Sequence, residues 1–245
     1  MIKATLLAAA LAVGMVSSAS AVTVAVYQDS VDGFNYATAA AFAAANYTGS
    51  GSGNTIESFE SFQAYTGPGT GDANPSTSVG TFVATGASGN GSSAVAPLDK
   101  AIVKSAVATG GRKAVDGKNY LDSNDNNGVK WTASIAGRSI TSIAFFLSDA
   151  NDTGRNVTLK IGSGVAQTIL PPGLINSNLA FVTIFLDAPV ESVELAFSAS
   201  RNDGFGIDGI QVSSVPLPPT ALLLGSAFVG AAFLLVALVY ARIIY

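Results

Sequence analysis

Ser192-Val193-Glu194-Leu195-Ala196-Phe197-Ser198 sends Val193, Leu195 and Phe197 to one side and Glu194 and Ser198 to the other. A period of two is that of a β-strand with one buried face. Val157, Leu159 and Ile161 repeat the pattern, whereas Phe181 to Leu186 is apolar on both faces, as a central strand covered from each side would be. Working outward, Val22 to Tyr27, Thr55 to Tyr65, Val79 to Thr85, Val129 to Ala136, Ser139 to Leu147, Val165 to Leu170 and Phe205 to Val212 also read as strands. Turn clusters of Gly, Ser, Asn and Asp separate them. Ala37 to Ala45 is the one convincing helical stretch, because alanine is the strongest helix former.

Strands of this number and spacing predict an all-β fold, a jelly-roll-like antiparallel β-sandwich over residues 55–212. Residues 22–54 are expected to form an N-terminal segment with the short helix, and weak patterning before Ser78 predicts a looser portion there.

Both ends read as targeting elements. Lys3, an apolar core from Leu6 to Val16, and Ala19-Ser20-Ala21 have the form of a secretory signal peptide over residues 1–21, cut after Ala21 by signal peptidase. At the other end, Ala221 to Ala241 is uncharged and long enough for a bilayer, which takes about 20 apolar residues. Arg242 closes it and marks a cytoplasmic side, so the body is expected to face outward. Residues 221–245 are thus expected to form a transmembrane helix with a short basic end, after a Pro-rich motif at 213–220. Pro216, Pro218 and Pro219 lack amide donors, which predicts an extended stretch that neither helix nor sheet absorbs.

Val215-Pro216-Leu217-Pro218, the apolar span and Arg242 together resemble the PEP-CTERM class of bacterial sorting signals, in its VPLPA-CTERM variant. The resemblance implies recognition by an exosortase, a membrane-embedded cysteine-type transpeptidase that cuts near the Pro motif and releases or transfers the body. Pro219 and Thr220 stand where that family has Ala, and Arg242 is a single base followed by Ile243, Ile244 and Tyr245. What it implies is an exported protein of a Gram-negative bacterium, held at the membrane by its tail and then displayed at the cell surface or secreted into a biofilm matrix. The body from about Thr55 to Val212 also resembles the lectin-like β-sandwich ectodomains that precede such tails, on Asn119 to Asn126 and Asp203 to Ile210.

Composition removes several function classes. Between the two ends lie all sixteen acids and ten bases, a net charge of −6, and no Lys or Arg occurs between Val22 and Asp99. Nucleic acid is not an expected partner. Without Cys, the body folds with no disulfide; without Cys or His, zinc sites of the common kind and Ser-His-Asp or Cys-His hydrolase sites are excluded. Carboxylate chemistry and hard-metal binding stay open, and the chain is expected not to be an enzyme.

Asp122 to Gly128 places Asp122, Asn124, Asp125, Asn126 and Asn127 in one polar loop near the calcium-loop pattern. Asn127 stands where that pattern needs Gly and Ala133 where it needs Glu, so the loop is either part of a noncontiguous calcium site or an ordinary turn. Strict alternation points Asp208 the same way as Ile210 and Val212, and a carboxylate on an apolar face needs a partner. The lectin-like resemblance implies a structural Ca2+ at Asp208, with Glu57 or Glu60 beside it; a bulge at Gly209 turning it outward is the alternative. Asp122, Asp125 and Asp208 are therefore the candidate metal ligands. Asp149 and Asp152 form a carboxylate pair of the type glycosidases use, with nothing in the sequence to set them in a cleft. Phe59, Phe62, Tyr65, Tyr120 and Trp131 are either core or a face for stacking on polysaccharide.

Overall fold

The computed structural model describes residues 22–49, 51–88, 94–105, 111–150, 157–170, 174–199 and 202–217. The expectations at Ala19, Ala21, Pro218 and Arg242, and the apolar run from Ala221, lie outside them. Among the described residues no helix is long and apolar enough to cross a membrane.

Two antiparallel sheets face each other. In the first, β1 (Val22–Gln28), β11 (Leu179–Val190), β8 (Arg138–Ser148) and β13 (Gly206–Pro216) run side by side. The far edge of β13 is shared by β6 (Asn119–Asp122), which carries β5 (Ile102–Ser105), and by β2 (Gly53–Glu57). The second sheet runs in the order β10 (Gln167–Leu170), β9 (Val157–Ile161), β12 (Ser192–Ser198), β7 (Gly128–Ser134), β4 (Gly80–Thr85) and β3 (Ser76–Thr77). Every ladder between these strands is antiparallel.

The alternation read from the sequence sets the interior. Leu159, Leu195, Phe197 and Trp131 of the second sheet meet Ile143, Phe145, Leu147, Val182, Ile184, Ile207 and Val212 of the first in one buried cluster. Each such side chain contributes on the order of 1.5–3 kcal/mol by leaving water. Rings from Phe82 through Trp131 and Phe145 to Phe197 touch in series, with centroids 5.1, 6.1 and 5.3 Å apart.

Phe181 sends its ring the other way, and β11 is covered on both faces as its sequence predicts. After β1 comes a single turn, α1 (Asp29–Asp32), with no buried residue, and on that outer face lies α2 (Ala39–Asn46), with Phe34, Ala39, Ala43 and Tyr47 against Ala144, Phe146 and Phe181. The expected N-terminal segment contributes to the first sheet at both ends, because β1 pairs with β11 from Val22 to Gln28 and β2 begins on β13 at Gly53.

Three strand expectations are corrected. The strand expected from Thr55 to Tyr65 stops at Glu57, because Phe59 adopts φ 59° and Glu57 Oε1 accepts its N–H at 2.8 Å, which turns the chain. β5 and β6 escape detection because each carries a charge, Lys104 and Asp122, that a buried strand normally excludes; the two pair at 3.1 Å. The last strand runs past Val212 to Pro216, so the sheet absorbs Val215 and Pro216 after all. Leu217 N–H bonds Gly137 O at 3.2 Å, so alternation turns the donor-less Pro216 nitrogen away from β8, where β2 has already ended.

Candidate functional site

Asp208 sits at the bulge, and the bulge decides its environment. Gly209 takes φ 55° and the register to β8 shifts between Asp208 and Gln211, so Ile207, Ile210 and Val212 all reach the inter-sheet core. Asp208 therefore points to the opposite face, which corrects the side expected from strict alternation. It is not turned to solvent: it is 1% exposed beneath the segment after Arg112. Its Oδ2 accepts the N–H groups of Val115 and Asp116 at 2.6 and 2.8 Å, while Oδ1 is buried with no geometrically good hydrogen-bond partner among the described residues. Burial pushes its pKa up to about 8, against the lowering effect of the Asp116 and Val115 amides.

Glu60 holds the same crossover further on, with Oε1 accepting Lys118 N–H at 2.5 Å and Asn119 N–H at 2.6 Å. Two carboxyl groups from distant parts of the chain thus fix the crossover through the amides of Val115, Asp116, Lys118 and Asn119. An amide bond to an ionised carboxylate is about twice as strong as one to a neutral acceptor.

Asp122 and Asp125 come together, but around a side chain of the protein. Arg112 Nη1 donates to Asp122 Oδ1 and Nη2 to Asp125 Oδ1, both at 2.7 Å, and Nε lies 3.8 Å from Asp149 Oδ2. Lys104 Nζ takes the other Asp122 oxygen at 3.1 Å. Burial works against the guanidinium's charge, yet Asp122 and Asp125 outweigh it and hold its pKa above the ordinary value. Gly204 abuts the cluster, since a Cβ there would meet Arg112 Nη1 and lie 2.6 Å from Asp125 Oδ1. Asn124 and Asn126 serve as turn residues and staples: Asn124 Nδ2 donates to Val95 O at 2.8 Å, and Asn126 Nδ2 to Ser123 O at 2.8 Å.

The three candidate calcium ligands are accordingly split, with Asp122 and Asp125 on Arg112 and Asp208 on backbone amides. Among the described residues no three acidic side chains converge on a point where a metal could sit. The sequence does not disclose Arg112 and Lys104 as partners of Asp122 and Asp125, nor Asp149 as the third acid beside Arg112. The one available signal was Lys104 closing the apolar run Ala101-Ile102-Val103. Asp152 lies outside the described residues. Phe59, Tyr120 and Trp131 are fully buried, and the Trp131 indole donates to Val79 O at 3.1 Å. Phe62 is only partly buried and packs at the edge of the core.

At the exit from the sandwich, Arg138 clamps the end of β13. Its Nε donates to Ser214 Oγ at 2.7 Å and its Nη2 to Ser214 O at 2.9 Å. Gly51 lets the neighbouring chain close in on Ser214, where a Cβ would lie 2.6 Å from both backbone N and O. Val215 and Pro216 pair with Ser139 and Arg138, and Leu217 is held through its amide.

No protein-family model and no curated relative matches the sequence. Among solved structures, the K2 cleaved adhesin domain of Lys-gingipain is similar at 14% identity and TM-score 0.41, over 66% of this chain and 99% of that one. A family 35 carbohydrate-binding module from Clostridium thermocellum is similar at 16% identity and TM-score 0.31, over 46% and 86%. The CBM35 from Cellvibrio japonicus Abf62 is similar at 17% identity and TM-score 0.31, over 54% and 90%. At these identities and scores, neither ligand nor role passes from them to this chain.

Proposed function

We propose that this chain is an exported, non-catalytic surface or matrix protein of a Gram-negative bacterium, whose jelly-roll-like sandwich is presented outside the cell and processed through its Pro-containing tail. Signal peptidase and the secretion machinery act on residues 1–21, and an exosortase-type transpeptidase acts at the tail while Ala221 to Ala241 holds the chain in the membrane.

One observation carries this reading: the strand that leads to the tail pairs with three other strands of its sheet, β8, β2 and β6. β13 bonds β8 along one edge and β2 and β6 along the other, and Arg138 fixes its end at Ser214. Only Pro218, Pro219 and Thr220 separate Leu217 from the apolar run. A pull on the tail is therefore borne by the middle of the first sheet and not by a loop. A transpeptidase needs an extended, unpaired segment, and the chain up to Leu217 is already bonded to the β8 side. The scissile bond in this reading lies beyond Leu217.

The test is expression, in a Gram-negative host that carries an exosortase, of the full chain beside a variant ending at Leu217, which spares β13. The full chain is expected in the membrane fraction and then at the surface with its tail removed, and the shortened one as a free exported body. The same location and the same body mass for both would overturn the reading.

A further inference from the structure

The stretch that contains no Lys or Arg supplies every lining residue of one groove. Glu57, Glu60, Phe62 and the hydroxyls of Ser58, Ser61 and Ser76 line an open groove of about 460 Å³, where the end of β2 in one sheet faces β3 in the other. Its carboxylates are held in place before any ligand arrives. Glu57, 8% exposed, accepts Phe59 N–H through Oε1 and the Ser78 hydroxyl at 3.4 Å through Oε2. Glu60 is fixed through Oε1 by two amides, which leaves Oε2 with no partner among the described residues. Ser58, Ser61 and Ser76 likewise use their hydroxyls in no hydrogen bond among the described residues.

The turn that carries the groove's acids is strained at Phe59, behind the lining. Phe59, a bulky residue at φ 59°, is held there by Glu57 at its N–H and by Phe62 N–H (3.1 Å) and Asn119 Nδ2 (3.1 Å) at its carbonyl. Non-glycine residues in that region cost of order 1–3 kcal/mol and persist only where the surroundings over-determine them. The consequence here is that Glu57, Glu60 and Phe62 flank a turn that cannot relax.

We infer that this groove binds a polyhydroxylated ligand bearing a cationic group, in chemical terms an amino-sugar chain with free amines. Unpaired hydroxyls and a half-buried phenyl ring suit the hydroxyl-rich edge and apolar face of a sugar. Two acids with no base among the lining residues favour an ammonium and disfavour an acidic glycan. The inference does not depend on how the tail is processed.

Calorimetric titration of the full chain in mild detergent tests it, at mildly acidic pH, with a glucosamine oligomer, its fully N-acetylated counterpart and a lysine oligomer as probes. The glucosamine oligomer is expected to bind at least about tenfold more tightly than either of the others, the weight of one charge-assisted hydrogen bond. Glu60→Gln keeps an oxygen acceptor for the Lys118 and Asn119 amides but removes the charge, so it is expected to weaken binding about tenfold while Tm falls only slightly as those two amide bonds become neutral. Ser61→Ala, at an exposed position, is expected to weaken it a few-fold. No binding of the glucosamine oligomer, equal binding of the acetylated or lysine probe, or binding that both substitutions leave intact would each overturn the inference.

Discussion

Arg112 and Asp122 form a buried ion pair at 2.7 Å in the place where the sequence directs attention to a metal ion. The guanidinium spans Asp122 and Asp125 with separate nitrogens, a geometry that a point-charged ammonium does not reproduce. Removing one member of a buried pair leaves its partner charged and unpaired, at a cost of about 3–5 kcal/mol. Arg112→Ala is therefore expected to lose that much stability in urea unfolding, and Arg112→Lys a smaller part of it.

With basic side chains on Asp122 and Asp125, the fold is expected not to need calcium there. With Arg112 and Lys104 already against these carboxylates, thermal unfolding with excess Ca2+ and with chelator is expected to give the same Tm. A Tm that rises with Ca2+ and falls back on chelation would show that the ion displaces or supplements the basic side chains.

Asp208 gives the stability a pH dependence of defined sign. Its folded pKa is raised from 3.8 to about 8, so between those values the folded chain keeps a proton that the unfolded chain has lost. This group's contribution to stability is full below about pH 4 and falls as pH rises through the window, by up to roughly 1.4 kcal/mol per pH unit. Asp116, whose amide bonds Asp208, adds like charge in the same direction. Asp208→Asn keeps an oxygen for the Val115 and Asp116 amides, and is expected to flatten this part of the profile in unfolding measured from pH 4 to 8.

Gly209 is the residue that places Asp208 outward and Ile210 inward. Its φ of 55° and the 3.0 Å between a built Cβ and Phe146 Cδ2 both resist a side chain. Gly209→Ala is expected to cost about 1–2 kcal/mol from the left-handed backbone alone, with more from the ring. Urea unfolding checks it, and an unchanged midpoint would mean that the bulge is not fixed by this residue.

Where a strand keeps strict alternation, as from Val193 to Phe197, its sequence discloses both its extent and its buried face. Legibility ends where a charge is neutralised by a residue far along the chain. Lys104 and Asp122 make β5 and β6 look like loops until they are seen 3.1 Å apart. Bulges are equally silent: nothing in Ile207-Asp208-Gly209-Ile210 fixes which residue is skipped, yet that choice sends Asp208 to the other face. Prolines misled in the opposite sense, because Pro216 needs no donor at a strand end whose β2 neighbour has stopped. The groove beside Phe59 was illegible because its left-handed turn depends on contacts with Glu57 and Asn119.

The most direct measurement of the central claim is the intact mass of the mature protein isolated from its native host. The account predicts a chain that starts at Val22 and ends between Leu217 and the apolar run, with any added group attached at that new end. A mature mass that still contains Ala221 to Ala241 would contradict it.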